Sequence, residues 1–329
     1  MTRQDIRFAV RLGLLSLGMA AFGALVAAGV MVARGAGRSA PKPVTRPARR
    51  AVASPAPVET RPAKYPPESL VRACNAEAEA LRKRLDGTFT IRVDPPFVSA
   101  GNMKADQLAR YVRGSVLRPA RAMWSSYFNA KPDKVITILL LADGKSYKTW
   151  AKKLFNDTDV PFFGYYTSAS RTLVMNIDTG TGTLVHELTH ALIVYDFPNL
   201  PTWFNEGLGS LHEQCIVGET RITGCENWRL PALQKAIADD TLRPLSDLVA
   251  RRDFYGALCG LNYAQARYFV MYMQQQGVLK KFYTHFRKAH KAGRPVDDVK
   301  AIEHVFGRKL PQIEKAFVAW VKTLRYRRR

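Results

Sequence analysis

Between Thr183 and Val194 the chain reads Thr-Leu-Val-His-Glu-Leu-Thr-His-Ala-Leu-Ile-Val, an apolar run broken chiefly by His186, Glu187 and His190. Leu184, Val185, Leu188, Ala191, Leu192 and Ile193 leave a helix here no broad polar face, so the rest of the protein has to enclose it. Burying two imidazoles and a carboxylate without partners is costly, and a divalent cation supplies the partner. Positions four apart lie one turn above the other on the same helix face, so His186 and His190 can offer two nitrogens to one ion. Glu187 projects beside that point, where it can take a proton from water. The competing reading is a chance His-Glu-x-x-His on a surface helix, which the apolar flanks disfavour.

A third ligand decides between the two. Pro201-Thr-Trp-Phe-Asn-Glu206-Gly207-Leu-Gly209 follows, with Pro198 and Pro201 ending the first helix. Glu206 then falls at the start of a second helix that can fold back beside the first. Two imidazoles and one carboxylate leave one position open, the composition of a catalytic zinc site. Read otherwise, Glu206 is a helix-start acid favoured by the helix dipole. Asp196, six residues after His190, is the rival third ligand. That spacing resembles the metzincins, which have a glycine at the position held here by Ile193 so that the helix can turn back.

Thr181 to Ala191 together with Trp203 to Gly209 resembles the gluzincin group of zinc metallopeptidases. The order Gly164-Tyr-Tyr, Arg171-Thr-Leu-Val, His-Glu-Leu-Thr-His, Pro-Thr-Trp-Phe-Asn-Glu-Gly-Leu is similar to the small bacterial peptidase-MA-like domains, across residues 85–290. The resemblance implies Zn2+ on His186, His190 and Glu206, peptide-bond hydrolysis with Glu187 as general base, and a zincin-like α+β fold. It also implies a mixed sheet above the active-site helix, with Arg171 to Ile177 as the edge strand that aligns a peptide or protein substrate. A tyrosine on a later helix donates to the oxyanion in that family. In Gly260-Leu-Asn-Tyr263-Ala-Gln-Ala-Arg-Tyr268-Phe-Val, Tyr263 fits that role and Tyr268 is the second choice. Either is equally an aromatic of an amphipathic helix. One departure stands out: the acid that supports a zinc histidine, four residues after the glutamate ligand, is Ser210 here. His212 and Glu213 are nearby substitutes, though expected at the surface.

The rest of the chain bears on location. Leu12 to Ala33 is 22 residues without a charge, enough to span a bilayer as a helix. An uncleaved anchor is the expectation, with cleavage near Ala27-Ala28-Gly29 as the alternative. Residues 34–67, rich in Pro, Ala and Arg, form a spacer with too little apolar surface to fold. The catalytic domain then occupies 68–329. Net charge is +23, with eight Lys/Arg against one acid between Arg34 and Lys64 and four arginines in the last five residues. That distribution suits anionic lipid or cell-envelope polymer. No nucleic acid is expected, because no aromatic-basic recognition pattern accompanies the charge. A catalytically idle zinc-containing binding module for such a surface is the competing function.

Cysteines at 74, 215, 225 and 259 suggest a Cys215–Cys225 hairpin bridge, and Cys74 with Cys259 as a second pair. Oxidised cysteines would place the domain on the periplasmic or extracellular side of the inner or plasma membrane, against the plain count of flanking positive charges. For secondary structure, the sequence predicts helices over Leu70 to Leu85, Lys104 to Phe128 (kinked or divided at Pro119) and Ser146 to Phe155. It predicts strands at Thr88 to Val93 and Val135 to Leu141, and a hairpin of Gly164 to Tyr166 with Arg171 to Ile177. Strands early and helices late favour α+β over a βαβ winding.

Overall fold

A strand that is nearly all apolar must be covered on both faces, and the run Ile136 to Leu141, apolar except for Thr137, organises the fold on that basis. The computed structural model describes residues 65–250, 253–294 and 296–326. The chain starts with α1 (Glu68–Arg84), β1 (Thr90–Asp94), β2 (Phe97–Gly101) and α2 (Ala105–Tyr111). A π-helical stretch (Val112–Leu117) leads into α3 (Arg118–Ser126), β3 (Ile136–Leu141), α4 (Gly144–Phe155), β4 (Gly164–Thr167) and β5 (Thr172–Asn176). Helices α5 (Gly182–Asp196) and α6 (Thr202–Glu213) follow, then a hairpin of β6 (Cys215–Val217) and β7 (Ile222–Gly224). The chain continues through α7 (Leu230–Ala238), α8 (Leu245–Ala250), α9 (Cys259–Gln275), α10 (Leu279–Lys291), α11 (Asp298–Phe306) and α12 (Leu310–Thr323).

Five strands form one mixed sheet in the order β1-β2-β3-β5-β4. The inner pairs β2–β3 and β3–β5 are parallel, and the outer pairs β1–β2 and β4–β5 antiparallel. Side chains alternate across a strand. Ile136, Ile138, Leu140, Leu173 and Met175 therefore join the core on the α5 side, while Leu139, Leu141 and Val174 join that of α1 and α4. Each such side chain stabilises the fold by about 1.5–3 kcal/mol on leaving water. The α+β character holds, but the first half departs from the expected absence of βαβ winding. Parallel neighbours need crossovers, and α2–α3 and α4 supply them.

Pro119 does divide the long predicted helix. It cannot donate to the preceding turn and its ring crowds the carbonyl there. The wider π turn relieves this, and the Arg118 amide reaches back to Arg113. The predicted hairpin forms with Thr167 opposite Thr172, closed by Arg171 at a φ of 51°. One expectation is corrected: Arg171 to Ile177 is not an edge strand. β5 lies between β3 and β4, so β4 forms that edge.

Helix α5 lies against β4 and β5. It stops at Phe197, which precedes Pro198 and at φ −149° and ψ 78° has left the helical region that a following proline disfavours. Helix α6 returns from Pro201 and packs on both α5 and α9. Gly207 makes the second contact possible: a Cβ there would stand 2.9 Å from the Ala266 carbonyl oxygen.

The Cys215–Cys225 hairpin forms, but none of the four cysteines is in a disulfide. Cys215 pairs with Gly224, so Cys225 is one register step away and points to the opposite face. Cys74 and Cys259 lie in cores on opposite sides of the sheet. The Leu12 to Ala33 span and nearly all of the 34–67 spacer fall outside the described residues. Among the described residues, no helix is long and apolar enough to cross a membrane.

Candidate metal centre

The sharp return between α5 and α6 brings three ligand atoms together at one buried point. His186 Nε2 is 3.3 Å and His190 Nε2 3.6 Å from Glu206 Oε2. All three residues are buried, and the ligand atoms lie within 4.8 Å of one another. Ligands about 2.0–2.2 Å from a tetrahedral ion stand roughly 3.3–3.6 Å apart, so the spacing fits a small cation. The same three atoms have no hydrogen-bond partner, nor does either oxygen of Glu187. Buried polar atoms of native proteins are nearly always paired. Charge argues the same way: Glu187, Glu206 and Glu213 crowd three carboxylates around the two imidazoles, with Arg229 and the buried Arg267 acting on Glu213, and a divalent cation would offset that crowding where Glu206 meets the imidazoles. The His186, His190 and Glu206 group can hold a metal ion.

Each ligand is oriented from behind. The Nδ1 of His186 donates to Glu213 Oε1 at 3.2 Å, and the Nδ1 of His190 donates to Asn205 Oδ1 at 3.1 Å. These partners accept only, so each takes the Nδ1 proton, and a bound ion would take the Nε2 lone pair in place of a second proton. Glu206 Oε1 accepts from the Tyr255 hydroxyl at 2.7 Å, leaving Oε2 for the centre. Glu213 is fixed in turn by Arg229 at 2.9 and 3.2 Å and by Asn227 at 3.2 Å. Gly209 provides the seat for the His186 ring, since a Cβ there would lie 3.0 Å from Nε2.

The electrostatics follow from enclosure and partners. Burial resists charge on His186, but the carboxylates of Glu206 and Glu213 facing its two nitrogens push it up to about 10. Burial likewise opposes ionised Glu206, yet His190 and His186 hold it well below the usual range. Glu213 is drawn down to about 2 against its burial, first by Arg229 and then by His186. Glu187 moves the other way: burial raises it, and the two imidazoles only partly offset this.

Among the expected residues, Tyr263 reaches the site. Its ring centroid is 6.4 Å from that of His186, and its buried hydroxyl has no partner. Burial, then Glu206, raises that hydroxyl well above its ordinary value, so it stays a donor. Tyr268 instead bonds the backbone of Asn227, accepting at 2.9 Å and donating at 3.2 Å. Asp196 is not a ligand, because Tyr283, Arg287 and the Ala130 amide occupy its carboxylate.

The surface placement of His212 and Glu213 is also corrected. The Glu213 side chain is only 7 % exposed, against His186. His212 is enclosed behind α5, its Nδ1 2.9 Å from Thr189 Oγ1, and burial pushes it down to about 3. Glu213 stands seven residues after Glu206, on the same helix face, and that spacing was the available signal. Asn205, Tyr255 and Arg229 carried no comparable signal. No family model matches the chain, and none of the curated proteins matches it.

Proposed function

We propose that this protein is a zinc-dependent peptide-bond hydrolase of the gluzincin kind, with a zincin-like domain carried on an N-terminal membrane anchor. The observation that carries the reading is Glu187, a fully enclosed acid with both oxygens unpartnered, next to a cation site with three protein ligands. A purely structural zinc site closes with a fourth side chain and has no use for such an acid.

Zinc, when bound, polarises a carbonyl and lowers the pKa of a water it holds to about 7. Glu187 takes the proton of the attacking water and later delivers it to the departing amine nitrogen. Burial raises Glu187 in the ion-free site, the direction that makes a carboxylate a stronger base. Tyr263 donates to the carbonyl oxygen as that atom turns negative. The outer edge of β4, which pairs only with β5 among the described residues, offers hydrogen bonds to an extended peptide beside α5. The basic spacer and tail hold the domain near anionic lipid or cell-envelope polymer.

The test is zinc content together with release of amines from a mixed peptide library. Glu187→Gln should keep the metal and lose hydrolysis, whereas His190→Ala should lose the metal. Undiminished hydrolysis by the Gln variant removes Glu187 from this role. The idle-module reading draws on the same enclosure, Glu187 being 0 % exposed. Zinc uptake without any chelator-sensitive amine release would favour it.

A further inference from the structure

A carboxylate ligand can bind an ion through one oxygen or through both, and the choice decides whether a corner stays open for water. Nothing on α6 itself makes that choice for Glu206. It comes from the segment preceding α9, where Tyr255 reaches the carboxylate and donates to Oε1 at 2.7 Å. The other oxygen, Oε2, is the one 3.3 and 3.6 Å from the imidazole nitrogens, and it has no hydrogen-bond partner. One oxygen is thus engaged by Tyr255 and the other left for the centre. The Tyr255 ring is itself held in place, edge-on to Phe254 at 5.3 Å between centroids and 6.4 Å from the ring of Tyr263.

We infer that Tyr255 is a positioning residue that restricts Glu206 to one-oxygen ligation and so reserves the fourth corner of the centre for water. The inference rests on the zinc reading and adds a residue to it. Without the hydroxyl, Oε1 loses its partner in a buried site and turns toward the one remaining source of positive charge. A second oxygen on the ion then competes with water for the open position.

The experiment uses the full chain purified in detergent, wild type and Tyr255→Phe, loaded with Zn2+ or Co2+. Removing an outer partner of this kind weakens metal affinity about 10–100-fold, read by competition with a chromophoric chelator. The visible bands of the cobalt form should weaken and shift as the centre moves from four toward five ligand atoms. A stability change alone would not produce that shift, and metal-free melting of both proteins measures it separately. A cobalt spectrum identical to wild type overturns the inference, whatever the affinity. If Tyr255→Phe fails to fold, a zinc-loaded crystal structure of the wild type decides instead. Oε1 must still be bonded to Tyr255, and both oxygens on the ion would overturn the idea. A wild-type chain that takes up neither metal sinks the zinc reading itself, which is a different result from a variant that behaves like wild type.

Discussion

Gly209→Ala isolates the seating of one ligand. The added Cβ would lie 3.0 Å from Nε2, 3.1 Å from Cδ2 and 3.2 Å from Cε1 of His186. Relaxed contact between such atoms needs roughly 3.5 Å or more, so the ring must retreat by about 0.3–0.5 Å. It cannot retreat freely, because Glu213 holds its far nitrogen at 3.2 Å. Metal–ligand distances tolerate about 0.2 Å, so the shift exceeds what the centre absorbs. Overpacking of this kind costs about 1–3 kcal/mol. In the metal-free fold, about 1 kcal/mol returns from replacing glycine within a helix. Metal binding has no such offset, so zinc affinity should fall about 5–150-fold while metal-free stability changes by less. Chelator competition gives the first quantity and thermal unfolding of the metal-free protein the second. Ser210→Ala, one residue on, is the control. It deletes a buried hydroxyl with no partner, which costs close to nothing, and zinc affinity should stay at the wild-type value. A Gly209→Ala protein within twofold of wild-type affinity would refute the argument.

Two further expectations concern other parts of the molecule. Tyr263→Phe should lower hydrolysis about 100–1000-fold with zinc affinity unchanged, and Tyr268→Phe should instead lower stability because its hydroxyl bridges Asn227; a reversed pattern between the two variants in parallel activity and melting measurements would exchange their roles. Asp298, which accepts from Trp203 Nε1 at 2.6 Å, is raised from 3.8 to about 6 by burial and then by Asp297. The native chain therefore binds the extra proton between roughly pH 4 and 6. Stability from this group is fully present below that window and lost as pH rises through 6. Asp298→Asn keeps an acceptor for the indole and should gain about 1–2 kcal/mol at pH 7, after discounting for partial exposure. Denaturant titrations at pH 4 and 7 check it, and an unaltered pH step in the variant would count against the assignment.

What the sequence determined by itself is the local chemistry. Spacing along one helix puts His186 and His190 on a common face, and that relation holds wherever the helix sits. The prolines at 198 and 201 and the acid at 206 specify a return, so the third candidate ligand was legible as well. The apolar run at 135–141 announced a doubly covered strand for the same local reason. Tertiary structure decided what depends on pairs of elements. Which of β4 and β5 forms the sheet edge turns on β3, far away in the chain. Whether Cys215 can meet Cys225 turns on a single register step. Glu213 reads as a surface acid until α6 is laid against α5, and Tyr255 has no sequence relation to Glu206 that spacing could reveal. The candidate ligands follow from spacing on one helix and a proline-marked return to the next, whereas their orientation is set by side chains that meet only after the chain has packed.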